Sequence, residues 1–352
     1  MTILFFLILF LLILWKVPQQ SITADVTDSK ERAELLNANR ESLLKIIQTI
    51  AGLGFIATAY LAWKNLKLAE ENFYIIQKNF QVAEDKQVTE RFGKAVEMLA
   101  NEKLEVRVGG IYLLERIAKD SKEDQLIVIE TLVAFIREQT TSKQYIEYIE
   151  SQQSKKPRQD IQSALDVIGR RKTKQDPAPH GVLVSGKPFL SNILDLRETH
   201  LEGAFLNHAK LAGANLAKAY LQGSELRHAD LRGANLFEAH LEEADLFGAK
   251  LQAAFLNLAY LQKANLNFAH LKGVILVAAH LEGAYLNKAD LQSASLNNAH
   301  LEKTSLKQTI LQDSDIRTEY LQEDQLSEAV LCNTKLPDHI SLDPNRNCEK
   351  NH

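Results

Sequence analysis

Cysteine is nearly missing from this chain: of 352 residues only Cys332 and Cys348 carry a thiol. Two cysteines cannot build a disulfide scaffold, and their spacing suits no zinc site. At most they staple the C-terminal tail, and only in an oxidising compartment. Charge of one sign is missing as well. With 41 basic and 45 acidic residues, a net charge of −4 excludes a simple nucleic-acid binder driven by phosphate neutralisation. The chain also lacks a nucleophile-and-base pair, a metal-ligand motif and a dinucleotide fingerprint. Gly109 and Gly110 stand outside any phosphate-loop pattern and read as a close contact between helices. These absences point away from an enzyme and imply no cofactor.

What the sequence has in abundance is leucine in phase. Between positions 196 and 336 every fifth residue is leucine, with Ile316 the single exception, giving 29 consecutive sites. Two residues before each leucine stands alanine at 18 of the 20 sites between 204 and 299, interrupted by Ser224 and Val274. A period of five fits neither a helix nor a long alternating strand. It fits a chain that turns a corner every five residues, with one large and one small apolar side chain inward per side. Glycine at 203, 213, 223, 233, 273 and 283 falls two residues after leucine, where a tight corner needs permissive backbone. A single turn of such a chain cannot bury its own Leu/Ala face, so neighbours must stack into a continuous core.

Runs such as LAGANLAKAYLQGSELRHADLRGANL (211–236) resemble the pentapeptide-repeat family. The resemblance covers residues 193–336. It implies a mainly β repeat solenoid, a right-handed quadrilateral parallel β-helix with four pentapeptides per coil and about seven coils. At roughly 4.8 Å per coil that is a rod on the order of 34 Å long. Towards its end the small inward position reads Thr304, Thr309, Ser314, Glu319, Asp324. Burying those carboxylates unpaired would cost several kcal/mol. Regular coils are therefore expected to about residue 312, then a distorted coil or two that widen, pair the acids or turn them outward and cap the open end.

The N-terminal third divides by composition. Residues 1–18 are a hydrophobic segment (signal anchor or signal peptide), 19–45 a polar loop and 46–63 a transmembrane helix bracketed by Lys45, Trp63 and Lys64. Residues 64–87 form a juxtamembrane amphipathic helix. Its seam Leu66, Ala69, Phe73, Ile76, Phe80, Ala83 has heptad spacing, suited to self-association or to packing on the following helices. Residues 88–150 read as a small helical domain, and the stretch ERFGKAVEMLANEKLEVRVGGIYLLERIAKD resembles the helical region that accompanies pentapeptide repeats in bacterial membrane proteins. Residues 151–192 are a basic, proline-containing linker with a short helix over 161–168, either solvated or near anionic lipid. Residues 337–352 form a tail. Lys16, Lys30, Arg32, Arg40 and Lys45 precede the span and only Lys64, Lys67 and Lys78 follow it closely, which taken alone puts the N-terminal loop inside. A cleaved signal, or a first span entering from inside, reverses this. With the family resemblance, the expectation is an inner or plasma membrane protein with a cytoplasmic array.

Folded four pentapeptides to the coil, the site before leucine on one face reads His200, Tyr220, His240, Tyr260, His280, His300, Tyr320. The site after leucine alternates in step as Glu202, Gln222, Glu242, Gln262, Glu282, Glu302, Gln322. Alternation keeps carboxylates apart and lets rings stack. It slips where His280 and Glu282 lie under His300 and Glu302, four candidate ligands for a divalent metal. The ring column is the expected interaction face of a membrane-anchored scaffold for a protein partner. Two alternatives remain: a DNA mimic, the role some family members play toward topoisomerases, and a passive spacer. Between 194 and 336 there are 18 acidic and 13 basic residues, an excess of five. That is a poor match to about one charge per 1.7 Å of duplex.

Overall fold

A spacing of five becomes geometry through one repeated turn. The Leu201 carbonyl accepts from the Ala204 N–H (3.1 Å), and the same bond recurs at Leu221/Ser224 and Leu241/Ala244. The third residue of each turn between 198 and 313 has positive φ, from 53° at Glu238 to 68° at Gly213. This is the type II pattern, which favours glycine. Yet Lys218, Leu258 and Phe268 occupy it too.

The computed structural model describes residues 29–152, 155–172, 183–184, 187–188 and 194–348. The hydrophobic segment 1–18 lies outside the described residues. Contacts divide the chain into two units, 1–86 and 87–352.

In the first unit the described residues are helical. Helix α1, Ser29–Leu99, continues past the unit's end, so residues 29–45, expected as part of a polar loop, are helical and form one helix with 46–63 and the stretch after it. It is the one described helix long and apolar enough to cross a membrane, with mean hydropathy 1.5 in its most apolar 18-residue window, none of it buried. Phe55, Ile56 and Trp63 are all exposed.

The second unit starts with the last turns of α1, followed by α2 (Leu104–Asp120), α3 (Gln125–Thr140), α4 (Lys143–Ser151) and α5 (Gln159–Arg170). Leu114, Leu132, Ile136, Ile161 and Leu165 are among its core residues. A Cβ on Gly110 would lie 2.9 Å from the Ala95 carbonyl oxygen, so the glycine pair does serve close helix packing. A two-residue antiparallel pair, β1 (Leu183–Val184) and β2 (Lys187–Pro188), precedes the array.

In the array, parallel bridges join equivalent positions of successive coils on four sides: Asp195 to Asn215, His200 to Tyr220, Phe205 to Glu225, Lys210 to Asp230, and onward. The chain is therefore a repeat solenoid with four pentapeptides to each coil, its inward leucines and alanines buried.

Such a solenoid leaves backbone groups unpaired at both ends, and buried ones must find partners. At the first coil α5 supplies them. The Phe205 N–H donates to Gln162 Oε1 (3.0 Å), whose amide donates back to the Phe205 carbonyl (2.8 Å). The Lys210 N–H donates to the Gly169 carbonyl (3.0 Å). Lys210 Nζ reaches the Arg171 carbonyl (2.8 Å), and the Arg171 guanidinium donates to the Lys210 carbonyl. Helix α5 is thus buried on nearly every face, between the other helices and the array. Residues 159–170 are not part of a solvated linker. Three of the arginines read as linker charges are engaged: Arg158 with Asp160, Arg170 with Glu115, Arg171 with the first coil.

At the other end the coil distorts where the carboxylates fall. Thr318 takes the inward position and donates to the Ala299 carbonyl (2.7 Å), leaving Glu319 exposed. Asp324 is exposed on a 3-10 turn, Glu323–Leu326. Gln325 donates from there to the carbonyls of Leu301 (2.7 Å) and Thr304 (2.8 Å). Bridges persist at Ile310 to Val330 and Asp315 to Lys335. The tail closes the end. Asn347 exchanges hydrogen bonds with Leu331, both 3.0 Å. His339 meets the Leu321 carbonyl (2.8 Å), and Arg346 donates to the Leu326 and Ala329 carbonyls. A disulfide joins Cys332 to Cys348, Cα atoms 4.8 Å apart.

Asp160, fully buried at the start of α5, holds Arg107 (2.6 Å) and Arg158 (2.8 Å). Burial pushes its carboxyl up, but the hydrogen bonds and charges of Arg158 and Arg107 outweigh this and hold it below its ordinary 3.8. A depressed folded pKa gives stability that is present above the ordinary value and lost as pH falls through the lower one. Asp160→Asn strands Arg107 in the interior and should destabilise the unit by about 3–5 kcal/mol at neutral pH. The variant should also lose less stability than wild type below about pH 4. Denaturant unfolding of both chains across pH measures each effect.

Candidate interaction surface

The second side of the array carries the ring column, and the structure stacks it. His200 on Tyr220, Tyr220 on His240, His240 on Tyr260, Tyr260 on His280, His280 on His300 and His300 on Tyr320 lie with centroids 4.1 to 5.0 Å apart and planes within 20°. Each histidine faces its own glutamate through Nδ1: His200 to Glu202 at 2.9 Å, His240 to Glu242 at 3.2 Å, His280 to Glu282 at 3.1 Å, His300 to Glu302 at 3.9 Å. Stacking uses the ring faces inside the column and leaves edges to solvent. At its end, the Glu319 hydrogen bond and charge raise the Tyr320 pKa above the ordinary phenol value.

Ligand atoms of His280, Glu282 and His300 come within 4.8 Å of one another. Imidazole lone pairs lie in the ring plane, however, and these two planes are nearly parallel, 12° apart at 4.5 Å. Both nitrogens can point at one ion only if a ring turns out of the stack. Zn(II) titrations of wild type and of a His280→Ala/His300→Ala variant should coincide by calorimetry. Stacking of this kind contributes cohesion: Tyr260→Ala should lower stability by about 1–3 kcal/mol, combining lost stacking and lost burial, read from thermal unfolding.

Sequence reasoning missed two other surfaces. On the third side, His228 meets Phe247 edge-on (5.7 Å) and Phe247 meets Phe268 (5.3 Å). Arg227 and Lys288 lie over those rings at 5.7 and 5.2 Å. Phe268 and the nearby Tyr285 are 46% and 50% exposed. This cluster runs diagonally, joining the first position after leucine on one coil to the second on the next, so no single column of the folded sequence contains it. On the first side Phe255, Leu258, Ile275 and Val277 make an apolar strip, with Leu258 exposed. This strip was legible, since Phe255 and Ile275 interrupt an otherwise polar column.

Several charges on the surface are paired. Arg227 binds Asp245 (2.6 Å), Arg232 binds Asp230 (2.6 Å), Arg317 binds Asp315 (2.7 Å) and Lys263 binds Glu243 (3.3 Å). Burial pushes the Asp230 carboxyl up, but Arg232 outweighs it and the net shift is downward.

The sequence profile of pentapeptide repeats matches in 8 copies over residues 195–224, 214–252, 239–276 and 275–313. No match was found among curated protein sequences. Solved structures similar to this chain include HetL, a pentapeptide repeat protein involved in heterocyst differentiation regulation from Nostoc sp. strain PCC 7120. It is 26% identical over 41% of this chain and 83% of that one, with TM-score 0.28. A pentapeptide repeat protein of the Arabidopsis thaliana thylakoid lumen is 27% identical over 33% and 70%, TM-score 0.22. A trypsin-treated variant of QnrB1, a plasmid-mediated fluoroquinolone resistance protein, is 14% identical over 41% and 77%, TM-score 0.33.

Proposed function

Because the array belongs to the pentapeptide-repeat family, we propose that this chain is a non-enzymatic, membrane-anchored scaffold whose right-handed rod of about seven coils binds a protein. The supporting observation is Phe268. It sits at a left-handed corner (φ 59°), where a side chain costs about 1–2 kcal/mol relative to glycine. It also leaves a large ring half in water. Bulk that is strained and exposed serves contact better than folding. We therefore place the partner on Phe247, Phe268 and Tyr285 with Arg227 and Lys288, in preference to the ring column, whose faces are already stacked. A protein suits this surface better than a DNA-binding enzyme does, since the array's 18 acidic residues stand among 13 basic ones, far from the charge density of a duplex.

We further propose that the array lies on the oxidising side of the membrane, reversing the cytoplasmic expectation. That expectation rested on the first hydrophobic segment and the family resemblance; the pairing of the cysteines weighs against it, being a state at home outside the cytosol. The excess of Lys and Arg before the span supports the same orientation.

Phe268→Gly should leave thermal stability equal to or above wild type while removing partners recovered by cross-linking in the host and mass spectrometry. Loss of stability with unchanged partners would refute this surface. For topology, a C-terminal tag should be digested on spheroplasts without lysis, and the cysteines should resist alkylation until reduced. A protected tag with freely alkylated thiols would restore the cytoplasmic placement.

A further inference from the structure

The exposed face of α1 between the membrane span and residue 83 has no part in that proposal. Leu66, Phe73, Ile76 and Phe80 are 62, 69, 66 and 71% exposed, on a helix that runs unbroken through the span. Continued backwards at alternating steps of four and three, the seam reaches Ala62, Ala59, Phe55 and Gly52. One heptad register thus holds from Gly52 to Ala83, and its composition changes with the solvent. Inside the span three of four seam positions are small, and the space beside Gly52 is open, so that an added Cβ meets nothing within 4 Å. In water the seam turns to leucine, isoleucine and phenylalanine. Each half carries what drives helix pairing in its own medium, close backbone approach in lipid and apolar burial in water.

We propose that residues 52–83 pair with the same residues of a second copy as a parallel two-stranded coiled coil that begins inside the membrane. The flanking residues set the direction. Asn65, Asn72 and Asn79 recur at heptad spacing just before the seam's first position, and Glu70, Gln77 and Glu84 just after its second. In a parallel pair they meet as Asn65 with Glu70, Asn72 with Gln77 and Asn79 with Glu84, each an amide donor against an acceptor with no like charges opposed. An antiparallel pair would set Glu70 against Glu84. In that pair Phe73 and Phe80 each meet their own copy, and the small layers at Ala69 and Ala83 beside them leave room for the rings.

The full chain in detergent should have twice its single-chain mass by light scattering. Phe73→Glu with Phe80→Glu should return it to the single-chain mass while the array stays protease-resistant. A single-chain mass for wild type, or an unchanged double mass for the variant, would overturn the pairing. Direction is tested in membranes by single cysteines in a Cys332→Ser/Cys348→Ser background. Leu66→Cys, Phe73→Cys and Ala83→Cys should cross-link to themselves at least tenfold more than Glu71→Cys and Lys78→Cys on the opposite face. Cross-linking confined to the middle of the seam would show an antiparallel pair, and equal cross-linking at all five would show no seam, either of which refutes the proposal.

Discussion

The array depends on hydrogen bonds that run from each coil to the next. Leucine and alanine fill the interior, but the parallel bridges between equivalent positions fix the coils in register. A solenoid held this way is complete everywhere except at its two ends, where donors and acceptors face empty space. Much of the rest of the chain answers that deficit. Helix α5 brings Gln162 and Gly169 to the Phe205 and Lys210 amides. The C-terminal tail brings His339, Arg346 and Asn347 to the last carbonyls. The buried Asp160 with its two arginines anchors the first of these closures.

The two closures differ in kind. The first is a helix packed between the helical core and the array, so its stability is shared with both. The second is made by local chain that adds little more than Ile340 to the core, bound by side-chain and backbone hydrogen bonds and one disulfide across a separation of 16 residues.

How much of this could be read from sequence follows from where each signal lies. The period of five, the permissive corners and the break in the regular coils near Glu319 and Asp324 are local, and residue chemistry alone announces them. The seam on α1 was legible for the same reason. The role of residues 159–170 was not. Their basic and proline-rich surroundings look like a linker, while their partners Phe205 and Lys210 lie far along the chain, beyond the reach of any local pattern. The ring column was found because it repeats at one position of the coil; the Phe247 and Phe268 cluster was overlooked because it crosses positions. A fold made of short repeats displays its frame in one dimension and conceals diagonal neighbours.

The corners carry a last consequence. Lysine, leucine, phenylalanine, asparagine and glutamine all stand at positive φ in this array beside glycine, because the corner side chain projects away from the core. Frame and surface are therefore written in separate letters. Two residues in five fill the core, and the other three can vary without emptying it, the corner position at a modest backbone cost. Lineages of such a protein could exchange one recognition surface for another by point changes alone, as print is changed on an unchanged page.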